Sequence, residues 1–103
     1  MEQIKNKVEP KLVVKEPPIY VITFYNNDRT TMEGVVLVLE KIFNYTYEIA
    51  IPLMMEIHAQ GKADIFEGPH DLATQLSQYA INYAITAPEI LGLCYLRIEL
   101  REK

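Results

Sequence analysis

Tyr25-Asn26-Asn27-Asp28-Arg29-Thr30-Thr31-Met32-Glu33 is the stretch at which an apolar run stops, polar residues follow and a new apolar periodicity begins. The run before it, Ile19 to Tyr25, is rich in β-branched and aromatic residues and reads as a strand. Asn26, Asn27 and Asp28 break that strand, because short polar side chains that hydrogen-bond the local backbone favour turns. Thr30, with Glu33 three residues on, has the spacing of a capping box, which starts a helix at about Thr31. Amide oxygens, a carboxylate and unpaired helix-start amides thus gather beside Met32, the first apolar residue of that helix. Such a mixture suits a ligand with one polar end and one apolar end.

Working outward, the strand places Tyr20, Ile22 and Phe24 on one face and Val21, Thr23 and Tyr25 on the other. Helix one carries Met32, Val35, Val36, Leu39 and Phe43 at helical spacing. Thr46 is placed to cap a second helix whose stripe is Ile49, Ala50, Leu53, Met54, Ile57 and His58, and Gly61 suits the left-handed residue that ends it. A short strand over Ala63 to Phe66 follows, closed by Gly68-Pro69. Asp71, at the start of helix three, precedes a stripe of Leu72, Leu76, Tyr79 and Tyr83, with Ala73, Ala80 and Ala84 allowing close approach. That helix must end before Pro88. Leu91 to Leu100 alternates Cys94, Leu96, Ile98 and Leu100 with Tyr95, Arg97 and Glu99, which gives a last strand with one buried and one wet face. The order βααβαβ makes an α+β domain: a small three-stranded antiparallel sheet with three helices on one face.

Residues 1–18 alternate Lys and Glu without helical or strand period and end in Pro17-Pro18, so they are expected to form a flexible extension ahead of a core at 19–103. No apolar run reaches the length of a membrane span, and the N-terminal residues lack the apolar core of a signal peptide, so no membrane association and a cytoplasmic location are expected. The net charge of −4 gives no footprint for nucleic acid. One cysteine excludes an internal disulfide and a multi-cysteine metal site.

Catalysis finds little support. Cys94 falls on the apolar face of a strand, where a thiol behaves as a small hydrophobe. His58 and His70 lack the short ligand spacing of a metal site, and the four glycines are scattered and form no phosphate-binding loop. No metal and no cofactor are therefore expected. His58 reads two ways from the residues alone, as a satisfied, half-buried histidine or as a ligand contact. Met32 and Met54 are likewise either core filler or the wall of a pocket.

Two segments resemble the ClpS adaptor family of the Clp protease. Asn26-Asn27-Asp28-Arg29-Thr30-Thr31-Met32-Glu33 is similar to that family's NDDxTPME, and Leu53-Met54-Met55-Glu56-Ile57-His58-Ala59-Gln60-Gly61 is similar to its LMxxVHxxG. The resemblance runs from about Tyr20 to Leu96, and the order of elements agrees with the family's fold. It implies no enzyme but an adaptor, which binds N-degron proteins, those beginning with Leu, Phe, Tyr or Trp, and delivers them to a Clp ATPase of the ClpA or ClpC type. Under it, Asn26 and His58 would hold the substrate's α-amino group, within a binding site that also takes in Asn27, Asp28 and Thr30. Met32, Val35, Met54 and Ile57 would line the pocket for the first side chain, and Asp71 would contact the ATPase. The chemistry suits these residue types, since an ammonium offers three donors and an Asn oxygen and a neutral imidazole nitrogen accept them.

The chain departs from the family in several places. Asn27 replaces the first acid of the Asp pair, Thr31 replaces the proline after Thr30, and Leu76 stands where a lysine is usual. Two alternatives remain at this level. One is a peptide-binding or interaction module of the same fold with a different partner and no protease role; the other is a small enzyme built on Asp28, His58 and Cys94.

Overall fold

The computed structural model describes residues 17–27, 30–86 and 96–103. In chain order the elements are β1 (Ile19–Tyr25), α1 (Met32–Lys41), α2 (Tyr47–Gln60), β2 (Lys62–Pro69), α3 (His70–Thr86) and β3 (Arg97–Glu102). The three strands form one antiparallel sheet in the order β2-β1-β3, and the helices cover one of its faces. The expected α+β architecture and its βααβαβ order are therefore those of the protein.

β1 is central, and Val21, Ile22, Thr23 and Phe24 are all buried. Its helix-facing side chains, Ile22 and Phe24, join Val35, Leu39, Ile57 and Ile65 in the core. Among the described residues its other face carries no helix, and long polar side chains cover it instead. Thr23 donates to Asp64 Oδ1 at 2.7 Å, and Arg101 lies 3.4 Å from the same carboxylate. The Tyr25 hydroxyl donates to Glu99 at 2.7 Å, while the Arg97 guanidinium sits 4.5 Å from the centre of the Tyr25 ring. These ladders keep water from Val21 and Thr23 without a second layer of secondary structure.

An aromatic cluster seats the α1–α2 connection on the sheet. Phe43 meets Phe24 edge-on at 5.8 Å and stacks on Tyr45 at 5.9 Å, and the Tyr45 hydroxyl donates to the Ile65 carbonyl of β2 at 2.6 Å. Between the two rings, Asn44 takes φ of 60°, a left-handed conformation that asparagine tolerates better than most residues.

Several expectations are corrected. β2 is longer than Ala63 to Phe66, because Gly68 and Pro69 pair with Tyr20 and Ile19. β2 is an edge strand, so a terminal proline costs it no ladder bond that another strand needs. The Phe66 ring lies over Gly68 so closely that a Cβ there would meet Cε2 and Cζ at 2.8 Å. On α3 the buried residues are Ala73, Ser77, Ala80 and Ala84, while Leu72 and Tyr79 are 43% and 50% exposed. The small stripe wins because it lets the helix backbone approach the sheet, and the large side chains are left to flank it. β3 keeps the expected alternation, with Leu96 buried, Ile98 and Leu100 half-buried, and Arg97 and Glu99 exposed. The end of helix three at Pro88, the first part of the last strand including Cys94, and residues 1–16 of the extension lie outside the described residues.

Candidate functional site

The polar loop after β1 is tied to the end of α2 through a single residue. Gly61 caps α2 with φ of 89°, its amide donating to the Ile57 carbonyl at 2.9 Å. Its own carbonyl accepts from the Asn26 amide, also at 2.9 Å. The cause is sheet register: Tyr25 pairs with Lys62, so the residues just beyond that pair, Asn26 and Gly61, must abut. The last turn of α2, which carries His58, is thereby held beside the loop that carries Asn26.

Within the loop, the Thr30 hydroxyl donates to Asn27 Oδ1 at 3.1 Å. The helix cap falls one residue later than the expected Thr30–Glu33 box. Thr31 is the N-cap, its hydroxyl accepting from the Gly34 amide at 3.0 Å, and α1 begins at Met32. Two adjacent threonines compete for the cap. Thr30, whose hydroxyl is engaged with Asn27, leaves it to Thr31, and Glu33 sits in the first turn where a carboxylate favours the helix dipole.

Asn26 and His58 are both exposed, which corrects the reading of His58 as a half-buried histidine. Met32 is 45% exposed and Met54 is half-buried, whereas Val35 and Ile57 are buried in the core at 5% and 3%. Met32 and Met54 come together from opposite ends of the sequence motif, as walls of a cavity of about 500 Å³ between α1 and α2. Val35 and Ile57 do not line it. The other lining residues are Glu33, Val36, Leu37, Glu40, Tyr47 and Ile51. Of these, Leu37, Tyr47 and Ile51 fall outside every stripe read from the sequence. A signal existed in α2, where Tyr47, Ile51 and Met54 recur at i, i+4 and i+7. It was hidden because Ile49 to Ile57 is apolar nearly all round, so its periodicity has no phase; Ile49, placed on the core stripe, is 50% exposed.

Asp28 lies outside the described residues. Asp71 is exposed in the first turn of α3 and lies 3.1 Å from His70 Nδ1. Because β1 runs from Ile19, paired with Pro69, to Tyr25, paired with Lys62, Asp71 lies at the opposite end of the sheet from Asn26, about 20 Å away along the strand. Among the described residues no cluster of three or more His, Cys, Asp or Glu could hold a metal, and no helix is long and apolar enough to cross a membrane.

Comparisons with known proteins bear on the family and on the fold. The ATP-dependent Clp protease adapter protein ClpS of Sodalis glossinidius (strain morsitans) is 44% identical over 62 residues, 60% of this chain and 53% of that protein. The chain thus spans about half the length of this curated relative. The structure of Agrobacterium tumefaciens ClpS2 bound to L-phenylalaninamide superposes with a TM-score of 0.75 at 23% identity, over 85% of this chain and 100% of that one, and shows the shared fold. The family profile of the ATP-dependent Clp protease adaptor protein ClpS matches residues 15–91, most of the chain, and on that ground the protein belongs to the ClpS family.

Proposed function

We propose that this chain binds proteins by a free N-terminal residue with a bulky hydrophobic side chain, Leu, Phe, Tyr or Trp, and delivers them to a Clp ATPase of the ClpA or ClpC type. The observation that carries the reading is the Asn26–Gly61 link, which holds a loop of polar acceptors against the helix turn bearing His58, next to Met32 and Met54. Asn26 and a neutral His58 accept from the substrate's ammonium, with Asn27, Asp28 and Thr30 shaping the loop around it. Met32, Val35, Met54 and Ile57 surround the first side chain, and each CH₂ buried among them is worth about 0.8 kcal/mol. The ligand of the Agrobacterium neighbour, an amino-acid amide with a free amine and an aromatic side chain, has the same two chemical ends. Asp71, far from this loop, is left for the ATPase, so substrate and ATPase occupy opposite ends of the sheet.

The family is one of adaptors without catalytic chemistry, and the enzyme built on Asp28, His58 and Cys94 is set aside on that ground. The adaptor reading is tested with immobilised peptides that differ only at the first residue. Retention by Leu, Phe, Tyr and Trp, with loss on N-acetylation or on change to Val, Ile or Lys, is the expected result. Equal retention of free and acetylated peptides would overturn it.

A further inference from the structure

Of the four methionines, Met32, Met54 and Met55 lie among the described residues, and they differ in what they face. Met32, the first residue of α1, is 45% exposed and lines the cavity, an open groove between α1 and α2. Met54 lines the same cavity but is half-buried against the core. Met55 is 56% exposed and does not line it. Met32 alone of the three therefore joins a solvent-accessible side chain to a place in the wall assigned to the first residue. Its exposure follows from the cap. A long helical side chain leans back over the turn that precedes its own Cα, and with Thr31 as the N-cap there is no such turn beneath Met32.

We propose that Met32 is an oxidative modification site, at which hydrogen peroxide lowers the affinity of the pocket for an apolar first residue. The inference rests on the proposed binding of a free N-terminal residue, and names a regulation of that same site. In the step, the Met32 sulfur takes one oxygen atom from hydrogen peroxide, the O–O bond breaks and water leaves. The sulfur is oxidised by two electrons and the peroxide is reduced, and a methionine sulfoxide reductase supplied with a thiol reverses the change. The product sets a polar S–O group where a polarisable, apolar sulfur stood. Against an apolar first side chain, that oxygen loses its water and gains no partner, so a bound Phe or Leu is disfavoured. Asn26 and His58, which accept from the ammonium, are unaltered by the step. Met54 is covered and reacts later than Met32. Met55 is at least as accessible as Met32, and its oxidation leaves the pocket wall as it was.

The test treats the full chain with hydrogen peroxide, locates each added oxygen by peptide mass spectrometry and measures L-phenylalaninamide affinity by calorimetry. Protein carrying the sulfoxide at Met32 is expected to bind about tenfold more weakly, and reductase treatment to restore the untreated affinity. Saturating L-phenylalaninamide is expected to slow oxidation at Met32 severalfold and to leave the rate at Met55 unchanged. Met55→Leu is expected to keep the full loss. Met32→Leu, a swap that nearly conserves volume, is expected to lose less than about twofold relative to its own untreated form, whatever affinity it starts from. Unchanged affinity once Met32 is oxidised, a rate at Met32 that the ligand does not slow, or the same loss in Met32→Leu would overturn the proposal and leave the first-residue reading standing. So would a Met32 that stays unmodified when Met55 is fully converted. Failure of the untreated protein to bind L-phenylalaninamide would overturn the first-residue reading, and the Met32 site with it.

Discussion

Asn26 and Gly61, far apart in sequence, share a 2.9 Å hydrogen bond from the Asn26 amide to the Gly61 carbonyl, and that bond depends on a backbone conformation only glycine adopts without strain. Through it, the C-terminus of α2, the start of β2 and the polar loop after β1 are tied together. It joins two of the segments that make up the proposed site.

Gly61→Ala tests how much this junction contributes. A Cβ at Gly61 would meet nothing within 4 Å, so the cost is backbone strain at φ of +89° and not a clash. An L-residue in that region loses about 1–2 kcal/mol. Urea unfolding is expected to show a loss of about 1 kcal/mol, with Gly61→Asn less affected because asparagine tolerates the left-handed region. An unchanged unfolding midpoint would mean that the backbone relaxes there without cost.

His58→Ala is expected to weaken a free-amine peptide beginning with Phe by about 1.5–3 kcal/mol, the range for a hydrogen bond to a charged group. The N-acetylated peptide, which has no ammonium, should lose nothing further. His58 is exposed and lies in the last turn of α2, so folding stability should hardly change. A loss shared equally by both peptides would show that His58 contributes packing and not an acceptor.

The two faces of α3 predict opposite responses. Ala80→Leu inserts volume where the helix meets the sheet with no exposure, and should cost about 1–3 kcal/mol in chemical denaturation. Tyr79→Ala, at a position 50% exposed, should stay within about 0.5 kcal/mol. The reverse ranking would place the large stripe, Leu72, Leu76, Tyr79 and Tyr83, on the core side after all.

Tyr45 links stability to alkaline pH. Partial burial raises its hydroxyl above the ordinary value of 10.0, and in the fold that hydroxyl donates to the Ile65 carbonyl. Above about pH 10 the unfolded chain releases this proton first, so the native state binds more protons and stability falls as pH rises further. Tyr25 adds to the same slope, being raised chiefly by its hydrogen bond to Glu99. Tyr45→Phe should therefore make the alkaline loss shallower without removing it, while costing about 1–3 kcal/mol at neutral pH through the unsatisfied Ile65 carbonyl. Denaturation midpoints from neutral pH to about pH 11 for both proteins measure this directly.

The sequence by itself determined the order and type of the elements, since each depends on neighbours in the chain. β-Branched and aromatic residues make β1, Asn26 and Asn27 follow its end, and Gly61 ends α2, all through local sterics and local hydrogen bonds. The two motifs that carry Asn26, Met32, Met54 and His58 were legible through their resemblance to the ClpS family, since from the residues alone His58 and the two methionines each read two ways. What lies between helices was decided only by the tertiary structure. α2 is apolar nearly all round and α3 carries a small stripe beside a large one, so their periodicity does not say which face turns inward. The sheet answers by accepting whichever face allows the closer approach, which buries Ala73, Ser77, Ala80 and Ala84 and leaves Leu72 and Tyr79 outside. The groove walled by Leu37, Tyr47 and Ile51 follows from the same choice on α2, and so does its continuity with Met32 and Met54. A hydrophobic pattern records that a side chain can be buried, whereas the partner it is buried against exists only once the chain has folded.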